Sequence, residues 1–121
     1  MSRYSTRAHD RARFDTAMRT MTQHIRASTL QYHHLRDTLE RHTDHRRRTD
    51  MPYRDLMQRY EPIMHGIADL IRDAQDAVRR AEDAWAQGRG ARYYEEVERA
   101  GRRVGRADGA LEGVVEALGY R

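Results

Sequence analysis

Three times along this chain, residues of one face recur at alternating steps of four and three, and that pattern leaves little room for anything but long packed helices. The first seam runs Phe14, Met18, Met21, Ile25, Ser28, Tyr32, Leu35, Leu39 and His42; the second Met57, Tyr60, Met64, Ile67, Ile71, Ala74, Val78, Ala81 and Trp85; the third Tyr93, Val97, Ala100, Val104, Ala107, Leu111, Val114 and Leu118. Only Ser28 and His42 break the apolar or aromatic character of these seams. No stretch alternates with the period of a strand.

Two breaks divide the seams. HTDHRRRTDMP ends the first with a basic run suited to the negative end of a helix dipole, after which Asp50 offers a cap and Pro52 a first-turn residue. Gln87-Gly88-Arg89-Gly90 is a turn short enough to make its flanking helices antiparallel neighbours. The expected fold is all-α, an elongated up-down-up three-helix bundle with coiled-coil-like seams. Its helices cover about residues 8–46, 52–87 and 91–119, behind a disordered tail over about residues 1–7. Pro62 falls inside the second pattern and is expected to kink that helix or, as the less favoured alternative, to mark its real start with residues 53–60 as a separate short helix. A bundle with the first helix packed in trans on another chain satisfies the same pattern.

The core is expected to be thin. With 38% apolar residues against 35% charged, one Trp and one Phe, it must be built mainly of Ala, Met, Leu, Val and Ile. No run approaches the ~18 apolar residues of a membrane span, and the first residues lack the apolar stretch of a secretory signal, so a cytoplasmic location is expected. The absence of cysteine removes disulfides, thiolate nucleophiles and iron–sulfur ligation together. All 23 basic residues are Arg, which GC-rich coding accounts for without any special need for guanidinium. Their distribution is uneven: residues 1–50 hold 11 Arg against 6 acids, while residues 51–121 hold 12 Arg against 13. Six of the seven His also lie in the first part, so mild acidification makes that part much more positive.

Within the third helix, Gly101, Gly105, Gly109 and Gly113 stand at strict four-residue spacing. Residues four apart form one inclined ridge, so four glycines strip that ridge and open the backbone to close approach. Each interior glycine costs about 0.8–1 kcal/mol relative to alanine. A four-residue step advances about 40° around the axis, which carries the ridge from the flank of the core at Gly101 to an outward position at Gly109. Two readings follow. The ridge is a contact face for a partner helix, bordered by Glu98, Arg102, Arg106, Glu112 and Glu116, or the glycines simply weaken the helix and break it near Gly105 or Gly109.

Catalytic and metal-binding patterns are poor. His33, Asp37, Glu40 and Asp44 share one helical face and His34, Arg41 and His45 another, yet zinc needs three or four convergent ligands and di-iron bundles need Glu-x-x-His on two helices. Glu61 and His65 are four apart, not three. A His33–Asp37 surface pair explains the first face without metal. Ser2, Ser5 and Ser28 are the only serines, and neither a nucleophile elbow nor a phosphate-cradling loop surrounds them. Glu95 with Glu96, and Asp69, Asp73 and Asp76, sit among Arg as solvated faces. No enzyme, metal or cofactor is expected.

Two binding functions stay open. Arg46, Arg47 and Arg48, with Arg79, Arg80, Arg99, Arg102, Arg103 and Arg106, offer contacts to nucleic-acid phosphates if the fold gathers them. A protein partner or a second copy docking on the glycine ridge, with Arg102, Arg106 and Tyr94 beside it, accounts for the ridge and the thin core together. Trp85 and Tyr93 are expected to form the capping layer of the bundle. Trp85-Ala86-Gln87-Gly88 between two helices, followed by Tyr94 and Glu98 in a Tyr-x-x-x-Glu spacing, resembles the hairpin of the WXG100 secreted proteins. That family carries Trp-x-Gly and places its Tyr-x-x-x-Glu at the other end of the helix, so about fourteen residues carry the likeness and the family is not assigned. Small Arg-rich helical chains without catalytic motifs are also common among phage and mobile-element products, which suggests an adaptor or inhibitor of a larger complex by analogy of class.

Overall fold

The structure, a computed structural model, describes the backbone of residues 3–46 and 52–118 and the side chains of residues 11–41 and 58–118. It is an all-α three-helix bundle: α1 spans Arg3–Arg46, α2 Pro52–Ala86 and α3 Gly90–Leu118. At about 1.5 Å per residue, the 44 residues of α1 reach about 66 Å. The expected tail over residues 1–7, the His42 and Met57 seam positions and the Asp50 cap fall outside the described side chains.

The α2–α3 turn is closed by backbone geometry. Gly88 has φ 71°, a left-handed conformation that costs glycine nothing. Its N–H donates to the Trp85 carbonyl at 3.0 Å, while the Arg89 N–H donates to the Ala84 carbonyl at 2.8 Å. This Schellman pair ends α2, and the Tyr93 N–H on the Arg89 carbonyl at 3.0 Å begins α3 almost at once. So short a connection forces the two helices side by side, and they pack most closely of the three pairs.

The α3 seam faces the core as expected, with Tyr93, Ala100, Val104, Ala107, Leu111 and Val114 buried. In α2 the outcome differs near the turn. Tyr60, Met64, Ile67, Ile71 and Ala74 are buried in the expected register, but Ala77, Ala81 and Ala84 then continue it, leaving Val78 and Trp85 half-buried. The cause is steric: the stripe of four alanines lets α3 come close, and the bulky Val78 and Trp85 move to the flank. There Trp85 stacks on Phe14 of α1 at 4.5 Å between ring centroids, and Phe14 meets Tyr93 at 5.0 Å. The aromatic cluster is thus the bundle's capping layer, with Met18, Ala81, Ala84 and Tyr93 at its centre. Burial raises the pKa of the Tyr93 phenol, with a smaller contribution from Tyr94.

Pro62 lies within α2, which runs unbroken from Pro52 to Ala86. Proline cannot donate to the carbonyl four residues back, but Gln58 and Pro62 are both exposed, so water can reach the orphaned acceptor. Two ion pairs join α2 to α3, Arg80 to Glu96 at 3.0 Å and Arg103 to Asp73 at 3.5 Å.

Polar groups hold α1 in place. Ser28, only 2% exposed in the middle of the α1 seam, donates its hydroxyl to one carboxylate oxygen of Asp108 in α3. His24, one turn earlier on α1, engages the other oxygen of the same carboxylate. A buried hydroxyl without a partner is costly, so this pairing favours one axial register of α1 over its neighbours. No buried side-chain nitrogen or oxygen among the described residues lacks a partner.

Candidate functional site

α3 remains helical through all four glycines of the ridge, so the expectation of a break near Gly105 or Gly109 does not hold. The ridge rotates as its spacing requires. Gly101 is partly buried, and a Cβ placed there would lie 3.6 Å from the Met21 Cε of α1. At Gly105, Gly109 and Gly113, which are exposed, a Cβ would meet no atom within 4 Å. Nothing inside the bundle therefore requires glycine at those three positions. The bare backbone faces outward.

Charge is laid along this face in order. Arg99, Arg102, Arg103 and Arg106 line a shallow groove of about 490 Å³ whose floor includes Gly101 and Gly105. Arg102 lies 3.9 Å from Glu98 in an exposed pair one turn away, and Arg103 is the residue tied to Asp73. Among the described residues Arg99 and Arg106 form no ion pair. Beyond Gly109 the sign changes, with Glu112 and Glu116 exposed around Gly113. Tyr94, about a heptad before Gly101, is 64% exposed and touches the Tyr93 ring edge-on at 5.0 Å.

Several sequence-derived candidates do not join this face. Arg47 and Arg48 and the side chain of Arg46 lie outside the described residues. Arg79 pairs with Asp76 at 3.0 Å and Arg80 with Glu96, so neither extends the groove. The His-rich part of α1 forms no group of three or more metal-ligating side chains among the described residues. His33 and Asp37 do not pair; Arg36 bonds Glu40 at 3.3 Å instead, and that bond, followed by Tyr32, raises the guanidinium's pKa. Glu61 and His65 form an exposed pair at 3.8 Å. Asp69 and Asp76 are paired locally, as solvated faces are, whereas Asp73 reaches across to α3.

The Ser28–Asp108–His24 group escaped the reading of motifs. It holds the three residue types of a hydrolase triad in the wrong order, because the carboxylate lies between the hydroxyl and the imidazole and the histidine is not placed to take the serine proton. Its signal was Ser28, the polar residue in the middle of the α1 seam, whose burial demanded a partner on another helix. No helix among the described residues is long and apolar enough to cross a membrane. Comparison of the chain with protein families, with curated proteins and with solved structures returns no match.

Proposed function

We propose that this protein is a non-enzymatic helical docking module, an adaptor or inhibitor of a larger assembly, whose contact face is the outward ridge of α3. One observation carries the reading: an unbroken helix keeps Gly105, Gly109 and Gly113 where nothing in its own fold needs a missing side chain. Three exposed interior glycines cost roughly 2–3 kcal/mol of helix stability relative to alanine. A helix laid across the ridge would recover that cost through close backbone packing. Arg102 and Arg106 would border the contact and Tyr94 would supply an aromatic anchor at one end.

The test compares the wild-type chain with Gly109→Leu as baits for cellular proteins. A partner retained by the first and lost by the second, with the variant melting no lower than the wild type, supports docking on the ridge. Equal recovery by both baits removes it. The Arg-lined groove favours a second reading, contact with nucleic-acid phosphates through Arg99, Arg102, Arg103 and Arg106. Fluorescence anisotropy against duplex and single-stranded DNA decides it, since four phosphate contacts require affinity to fall steeply with salt.

A further inference from the structure

Resting on the docking reading, the arginines beside the ridge identify the chemistry of what lies on it: we infer that the occupant is an acidic helix of another protein. Its carboxylates are directed at a row of cations on α3 formed by Arg92, Arg99, Arg102 and Arg106. The glycines open the approach. The free cations select what approaches.

A step of seven residues returns to within about 20° of the same line on a helix. Arg92, Arg99 and Arg106 therefore stand in one row about 21 Å long, with Arg102 between the last two on the side of the ridge. All four are exposed. Among the described residues Arg92, Arg99 and Arg106 form no ion pair, and Arg102, its side chain 70% exposed, reaches Glu98 only at 3.9 Å. Their neighbours differ. Arg103 and Arg80 are committed to the fold by Asp73 and Glu96. Arg99 with Arg102, and Arg102 with Arg106, are like charges three and four residues apart, a spacing that weakens a helix. The row and the bare ridge thus each cost the chain stability on the same face, and an anionic helix laid there relieves both.

Three features select a helix of carboxylates over a nucleic acid. The row is narrow: Glu98 borders it toward the ridge, and Asp73 and Glu96 toward α2, so the two phosphate strands of a duplex would meet carboxylates along with arginines. No aromatic side chain lines the groove, which leaves the bases of a single strand nothing to stack on. At Gly105 a Cβ would meet no atom within 4 Å, and this notch admits the close packing of a second helix. Glutamates at seven-residue spacing on that helix stay in register with the row, as charges at e and g positions do in coiled coils. Exposed Glu95, between Arg92 and Arg99, is the one opposing charge in the row, so the partner is expected to carry no carboxylate at that height.

The probe is a fluorescein-labelled, alanine-based helical peptide of about 20 residues, with glutamates repeating every third and fourth residue on one face. Its isomer scatters the same glutamates around the helix, and an oligothymidylate of equal charge stands for nucleic acid. In anisotropy titrations with the full chain at low salt, the one-face peptide should bind at least about fivefold more tightly than either. Arg99→Glu combined with Arg106→Glu should weaken that binding more than about tenfold, whereas Arg26→Glu on α1 should change it less than about twofold. Gly105→Leu should weaken it while melting no lower than the wild type, and Glu95→Gln should tighten it.

A one-face peptide that binds no better than its isomer overturns the inference, because net charge alone is then being read. A loss from Arg26→Glu as large as that from the paired reversal overturns it for the same reason. Tighter binding of the oligothymidylate overturns it in favour of nucleic acid. No binding of the peptide at millimolar concentration also overturns it, while docking on the ridge still stands or falls by the Gly109→Leu bait.

Discussion

The two faces of α3 use small residues to opposite ends. On the inner face Ala100 and Ala107 are fully buried, within the helix pair that packs most closely in the bundle. On the outer face Gly105, Gly109 and Gly113 are smaller still and have nothing against them. Small side chains on the inner face are explained by what they touch. Those on the outer face are explained by no contact within the chain, and that contrast separates a packing requirement from an interaction surface.

The largest effect should come from filling the inner face. Ala107→Leu forces three additional carbons into a site with no exposure, at a cost of about 1–3 kcal/mol, whereas Gly109→Leu, which puts a good helix former into open space, should raise the urea midpoint slightly rather than lower it. Equal destabilisation by the two would erase the distinction between the faces.

Asp108 stands at the border between them. Asp108→Ala strands the buried Ser28 hydroxyl and should cost about 1–3 kcal/mol, most of it recovered when Ser28→Ala is added. A double mutant cycle showing no coupling between these positions would mean that the polar pair does not hold α1.

The third effect has the opposite sign. Replacing Gly105 and Gly109 together by alanine should stabilise the monomeric fold by roughly 1–2 kcal/mol, since each new Cβ meets open space and helix propensity improves. A lowered melting temperature would mean that glycine on the outer face meets a constraint other than the bundle's own contacts.

The smallest effect concerns Tyr93 at the capped end. Its folded pKa is raised by burial, so its contribution is complete below the unfolded value of about 10 and is lost as pH rises through the folded value. Stability should therefore fall at strongly alkaline pH, and Trp85 fluorescence, reporting from the same aromatic layer, should follow the transition.

Much of this architecture was legible because a seam is a local property. Every buried residue of α3 belongs to the expected series, and the outward drift of the glycines follows from helical arithmetic. The exchange of Val78 and Trp85 for Ala77 and Ala84 was not legible, since both sets are apolar and the choice depends on how near α3 comes. Ser28 announced a need for a polar partner, yet nothing local pointed to Asp108, because the axial register between α1 and α3 is set by tertiary packing. Continuity of α3 through its glycines was likewise beyond propensity, which counts the cost of each glycine without the buried seam that outweighs it.

The Schellman turn at Gly88 also has a consequence in time. Arg80 and Glu96 meet across it at a separation of 16 residues, while Ser28 and Asp108 are 80 apart. Closing the longer loop costs about 1.4 kcal/mol more in chain entropy, so the Ser28–Asp108 pair is expected to close after the closely packed hairpin of α2 and α3 has formed. Pulse-labelled hydrogen exchange should see the amides of α1 protected last. The bundle is in this sense a two-helix template with a third strand of sequence read onto it, and the Asp108 carboxylate is the mark at which that reading stops.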